Sequence, residues 1–133
     1  MGESGEQGLL RANRAFYRAF DTRDVEGMDE LWAHHTPVAC VHPGWPPLHG
    51  REAVMTSWRE ILLGGESPRV RFGDAHAVLL GAAGFVTCLE QLETGTLVAT
   101  NTFALEDGIW QLVHHQAGPL GEDDAPTDPR SLN

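Results

Sequence analysis

Four runs in the second half of the chain, Val70–Leu80, Phe85–Leu92, Leu97–Leu105 and Ile109–Gln116, are rich in β-branched and other apolar residues. Only Gly81-Ala82-Ala83-Gly84, Glu93-Thr94-Gly95 and Asp107-Gly108 separate them. Links this short and this rich in glycine join antiparallel neighbours, so the runs read as one meander of four hairpin-linked strands. Such a sheet has apolar positions to cover, and the first 69 residues must supply the cover.

Those residues read as helices. Leu9, Leu10, Ala12, Ala15, Phe16, Ala19 and Phe20 recur at spacings of three and four, which predicts a first helix from Leu9 to about Asp21. Asp24 is placed to cap a short second helix carrying Val25, Met28, Leu31 and Trp32, and Thr36-Pro37 stops it. His34 and His35 are expected to cap the end of that helix, where an imidazolium complements the dipole. Val38–His42 reads as a strand entering the turn Pro43–Pro47. A third helix follows Gly50 through Ala53, Val54, Trp58, Ile61 and Leu62, and Gly64-Gly65 closes it. Arg51 at its start is expected to pair with Glu52 at the surface. Helices first and strands last is an α+β pattern, with the helices on one face of a curved antiparallel sheet. One domain over residues 9–120 is expected, with 1–8 and 121–133 as flexible tails.

Charge narrows the partners. The chain carries a net charge of −10, with nine Arg and no Lys. Residues 1–8 hold −2 and residues 121–133 hold −3, which leaves −5 for residues 9–120. Without a net basic surface, nucleic acid is not an expected partner. The longest apolar stretch, Ala75–Cys88, is broken by Gly81 and Gly84, so no membrane span is expected. The polar, acidic start of the chain differs from a secretory signal, and a cytoplasmic setting is expected. Cys40 and Cys88 stand alone inside apolar segments, which favours two buried free thiols over a disulfide.

Three stretches carry a resemblance. Ala19–Gly27 links two helices and is followed by Trp32. Val41–Gly44 is followed by Gly50–Ala53 and Trp58. Ala99–Phe103 is followed by Glu106–Trp110 and Leu112–His115. Together they resemble the SnoaL-like branch of the nuclear transport factor 2-like (ketosteroid isomerase-like) superfamily, over about residues 9–120. The resemblance implies a cone-shaped fold, in which three N-terminal helices lean on a strongly curved sheet and enclose a pocket. It also implies a tendency to dimerise sheet to sheet. The superfamily holds isomerases, dehydratases and cyclases beside non-catalytic association domains, so the fold alone names no reaction.

Within that layout, His42 before Pro43 matches the position of the isomerases' base, and an imidazole titrates close enough to neutrality for that work. The alternative is a histidine that hydrogen-bonds the Pro43–Pro47 turn. Asn101 matches the isomerases' protonated Asp and could donate to developing negative charge, or else satisfy backbone groups of the sheet. Where the isomerases carry a phenol on the first helix, this chain has Phe16, with Tyr17 one residue on. If Trp110 packs inward, alternation turns His114 into the pocket and His115 to the convex face. The candidate catalytic residues are therefore His42, Asn101 and His114, with Phe16, Tyr17, Phe20 and Phe103 as apolar lining and Trp45 over the pocket mouth. No histidine spacing suits zinc, and neither a metal nor a cofactor is expected. The expected function is binding of a small, largely apolar molecule, with acid/base catalysis of isomerase, dehydratase or cyclase type left open by the sequence. The alternative is a non-catalytic homodimerisation or association module. A homodimer through the outward face of the sheet, including Val113 and His115, is expected because one helical layer covers only one side.

Overall fold

The computed structural model describes residues 2–121. The elements follow in the order α1 (Gly5–Thr22), α2 (Val25–Leu31), β1 (Ala39–Val41), β2 (Leu48–His49), α3 (Arg51–Leu63), β3 (Arg71–Leu79), β4 (Ala83–Leu92), β5 (Gly95–Glu106) and β6 (Ile109–Pro119). The six strands form one sheet in the order β2-β1-β6-β5-β4-β3. All neighbours are antiparallel except β1 and β6, where Ala39, Cys40 and Val41 lie beside His114, His115 and Gln116 in parallel. The architecture is the α+β arrangement expected, with three helices on a curved sheet.

α1 begins four residues before the expected Leu9, so Gly5–Gly8, read as tail, form its first turn. The cause is a capping box: the Ser4 hydroxyl accepts from the Gln7 backbone N–H while the Gln7 side chain accepts from the Ser4 N–H. Arg23 ends the helix in the left-handed region, and Asp24 at once caps α2 through the Gly27 N–H at 3.0 Å. Residues 122–133, the greater part of the expected C-terminal tail, lie outside the described residues.

Two glycines are fixed by geometry. Gly50 turns the chain from β2 into α3 at φ +89°. Gly84 lies beneath α1, and a Cβ there would come within 2.5 Å of Leu9 Cδ1 and 2.8 Å of the Val78 carbonyl. The helix therefore rests directly on β4. The core between the three helices and the rest of the sheet is built from Phe16, Phe20, Trp58, Met28, Phe103 and Leu112, all buried, each aromatic removing about 2–3 kcal/mol worth of apolar surface from water.

Two electrostatic assignments differ from expectation. Arg51 does not pair with Glu52. It reaches back to the end of α2, donating to the Asp29 and Trp32 carbonyls at 2.8 and 2.9 Å and pairing with the Asp29 carboxylate at 2.9 Å. It thereby satisfies carbonyls that a helix end leaves open. His34 and His35 do not cap α2, which ends at Leu31. Their backbone N–H groups, with the N–H and hydroxyl of Thr36, all donate to the Glu106 carboxylate at 2.7–3.2 Å. Partial burial pushes that carboxyl up, and the four donors more than reverse it, holding Glu106 down at about 2.

Candidate functional site

Alternation on the strands decides what faces the helices. On β4 it is Val86, Cys88 and Glu90, and on β5 Ala99, Asn101 and Phe103. On β6 the alternation breaks. Thr102 pairs with His114 but Phe103 pairs with Leu112, so Val113 is an extra residue in a bulge. A bulge inverts the parity of everything beyond it. Leu112 and His115 both point inward, and His115 is 1% exposed beside Asn101 on one flank and Cys40 on the other. His114 is half-buried on the opposite face. The expected placement of this pair is thus reversed: His115 joins the interior, and His114, not His115, belongs to the outward face.

α1 meets these strands with Asn13, Phe16 and Tyr17. The Asn101 amide donates to Asn13 Oδ1 at 2.8 Å and to the Tyr17 hydroxyl at 3.1 Å, and its Oδ1 lies 2.5 Å from His115 Nδ1. With both amide protons so placed, Oδ1 must accept, and His115 donates from Nδ1. The Tyr17 hydroxyl donates to Glu90 Oε2 at 2.6 Å and sits 3.3 Å from Cys88 Sγ. His115 Nε2 lies 4.0 Å from Glu90 Oε2. On the far side of Trp58, His42 Nε2 lies 2.9 Å from Ser57 Oγ, whose own proton goes to the Val54 carbonyl at 2.6 Å. His42 is therefore the donor to Ser57, and its Nδ1 carries the lone pair. The two imidazoles stand 6.4 Å apart, centre to centre.

Burial sets these groups against one another. It lowers His42 to about 4, and with help from His42 and His114 it lowers His115 to about 3, so both rings are neutral at pH 7. It raises Glu90, which the Tyr17 hydrogen bond offsets only in part. Tyr17 is raised by burial and by the nearby Glu90 and Cys88. Cys40, beside His42, is pushed up to about 12 by burial. The result is two unprotonated imidazoles and a phenol hydrogen-bonded to a carboxyl group in one interior cluster, which sets bases beside a proton donor, Tyr17.

The candidate residues from the sequence fall into three groups. His42, Asn101 and Tyr17 belong to the cluster. Phe16, Phe20 and Phe103 are packed core, with Phe16 against His115 at 4.9 Å. Trp45 is 40% exposed in the turn before β2 and meets the His42 ring edge-on at 4.9 Å. Sequence reasoning missed Asn13, Ser57, Cys88 and Glu90. Glu90 carried a signal, because it shares parity with Cys88 and Val86 in an otherwise apolar strand. Asn13 carried another, four residues after Leu9 on the apolar face of α1.

Two grooves approach the cluster. One of about 1080 Å³ runs over the outer side of α1, between α2 and the start of β3, and meets the cluster at Tyr17. The other, about 520 Å³, lies between β2 and α3 and is lined by Trp45, Leu48, Ser57 and their neighbours. Among the described residues no three His, Cys, Asp or Glu side chains converge as metal ligands, and no helix is long and apolar enough to cross a membrane.

Comparison with known proteins agrees with this architecture. The family model for the SnoaL-like domain matches residues 9–120. A crystal structure from Streptomyces avermitilis, provisionally called a dehydratase of the NTF2-like family, is 33% identical. The match covers 87% of this chain and 96% of that one, with a TM-score of 0.79. A structure from Thiobacillus denitrificans, provisionally called a calcium/calmodulin-dependent protein kinase type II association domain, is 30% identical. There the match covers 84% of this chain and 94% of that one, with a TM-score of 0.76. The F-box protein SKIP8 of Arabidopsis thaliana is 23% identical over 120 residues, and the match takes in 89% of this chain but only 52% of that protein's length.

Proposed function

The chain belongs to the SnoaL-like domain family, and from that premise we propose that it binds a small, largely apolar molecule inside the cone and acts on it by acid/base catalysis. One observation carries the reading: neutral His42 and His115 share a buried cluster with the Tyr17 phenol and the Glu90 carboxyl that it bonds. A core selected for stability alone gains little from so many buried polar groups. Dehydration or isomerisation beside a carbonyl uses both halves, a base to take a C–H proton and a donor to meet the oxygen where negative charge gathers. His42 is the base in this reading. Tyr17 meets the oxygen by turning its hydroxyl proton from Glu90 Oε2 toward it, and Asn101, whose amide protons go to Asn13 and Tyr17, holds Tyr17 and His115 in place. The provisional naming of the Streptomyces relative as a dehydratase supports the same class. The setting is cytoplasmic, in keeping with two free cysteines.

The test is native mass spectrometry after incubation with a mixed library of small carbonyl and hydroxy-carbonyl compounds, followed by turnover assays of whatever binds. Tyr17→Phe and His42→Ala should each lower turnover at least about 100-fold with the fold intact. Turnover unchanged in both variants would sink the catalytic reading.

A second reading rests on the outer face of the sheet. Leu89, Val98 and Gly118 form one row across it, and Phe85, Thr102 and His114 another. Val98 is 44% exposed there. We propose that a second copy of this chain covers this face, which the association-domain relative supports. Sedimentation at micromolar concentration should show a species of twice 14.5 kDa that Val98→Glu dissociates. A 14.5 kDa species alone refutes it.

A further inference from the structure

If the cluster receives a ligand, something must admit it. His42 is 3% exposed and Cys40 beside it is 0% exposed, so neither is open to solvent. Two residues in direct contact with His42 also line a surface groove. Ser57 bonds His42 Nε2, and Trp45 lies edge-on against the His42 ring, and both line the 520 Å³ groove between β2 and α3. Leu48, a third lining residue, pairs with Cys40 across the β1–β2 ladder. The larger groove over α1 has no such link to His42 and touches the cluster only through Tyr17.

Trp45 is also suited to move. It is exposed, unlike Trp32 and Trp58, which are fully buried. Its turn is tied back by the Trp45 N–H to the His42 carbonyl at 2.9 Å, and Gly44 before it sits at φ +80°. Rotating the indole off His42 breaks an edge-on ring contact worth about 1 kcal/mol and leaves the strands in place.

Resting on the reading above, we propose that the groove between β2 and α3 is the mouth of the pocket, that Trp45 is its movable cover, and that it admits a small uncharged molecule to His42. The size fits, since such sites commonly run from about 300 to 1,000 Å³. The rim agrees with the charge. Glu52 and Glu60 line it and no Arg does, so anions meet repulsion on entry.

The two buried thiols report on the two routes independently: Cys40 lies beside His42, and Cys88 beside Tyr17. The probe is methyl methanethiosulfonate, small and uncharged, with labelling of each cysteine in the full chain followed by peptide mass mapping. Comparing each thiol with itself across variants removes differences in intrinsic reactivity. Trp45→Ala should speed labelling of Cys40 about 10-fold or more and that of Cys88 less than about 2-fold. Ala53→Phe, at an exposed groove position on α3, should slow Cys40 labelling at least about 3-fold with the core untouched. Equal acceleration of both thiols by Trp45→Ala, or no effect of Ala53→Phe on Cys40, overturns the proposal. Selective Cys40 access together with a library that yields no ligand would count against the catalytic reading and leave the mouth standing.

Discussion

Asn101→Ala offers the sharpest test of whether the interior network is bonded as described. Asn101 is fully buried and its side chain makes three hydrogen bonds, to Asn13, Tyr17 and His115. Truncation leaves Tyr17 with its Glu90 acceptor, so that group stays satisfied. Asn13 is worse placed, because its Nδ2 already lacks a partner and its Oδ1 would lose the one it has. His115 Nδ1–H would lose its acceptor in a site without water access. Two newly orphaned buried groups at about 1–3 kcal/mol each, plus the small void, give a loss of about 3–5 kcal/mol. Against a total of about 5–15 kcal/mol for a domain of this size, that moves a urea midpoint far outside error. The four tryptophans supply the fluorescence signal. A cycle with Asn13→Ala adds a second readout, because the pair should couple by about 1 kcal/mol or more. A cost below about 1 kcal/mol for Asn101→Ala, or strict additivity in the cycle, would mean that the network does not exist as drawn.

Three further outcomes follow from charge. His42 and His115 are held below 6.5 in the fold, at about 4 and about 3, so the unfolded chain binds more protons below pH 6.5. Stability should therefore fall as pH drops from about 6.5 toward 4, by up to about 2.7 kcal/mol per pH unit, and urea titrations of wild type and His42→Phe should differ in that slope by about half. The same burial moves the acid limb of any His42-dependent turnover to about pH 4, and a limb at pH 6.5 would exclude His42 as the base. Glu106 carries the opposite charge but has the same sign of dependence: its depressed carboxyl stabilises the fold fully above about pH 4.5 and loses that effect between 4.5 and about 2. Linkage allows about 3 kcal/mol, which partial exposure reduces, so Glu106→Gln should cost about 1–2 kcal/mol at pH 7 and almost nothing at pH 2, and an equal cost at both would refute the assignment.

The fold was legible because it is written in periodicity. The spacing of three and four in α1 and the glycine turns of the meander left little freedom, and Asp24 capped α2 as its position implied. What escaped was written in single residues. The Ser4–Gln7 box lies upstream of the apolar pattern, so reading from the first leucine started α1 late. β2 spans only two residues and has no period to detect. The site depended on one register event. Nothing in the composition of Ile109–Pro119 marks Val113 as the extra residue, and two adjacent histidines put an imidazole inward in either parity. The bulge decides which one, and no local propensity records it. Glu90 was passed over for a different reason. A carboxylate in a strand is ordinarily read as outward, and its burial depends on Tyr17, 73 residues away, supplying a donor.

The parallel pairing of β1 with β6 has a bearing on synthesis. Cys40 is laid beside His115, and Trp32 bridges to Leu112, so β1 and the end of α2 reach the main sheet only through β6, the last strand of the domain to be made. Until Ile109–Pro119 emerges, α1, α2 and β1 have an unfinished sheet to rest on, and their aromatic faces stay available to chaperones or to other nascent chains. Contacts separated by so much sequence close late and slowly. Codon changes that delay or hasten synthesis of Ile109–Pro119 should therefore alter soluble yield more than equal changes in the helical half.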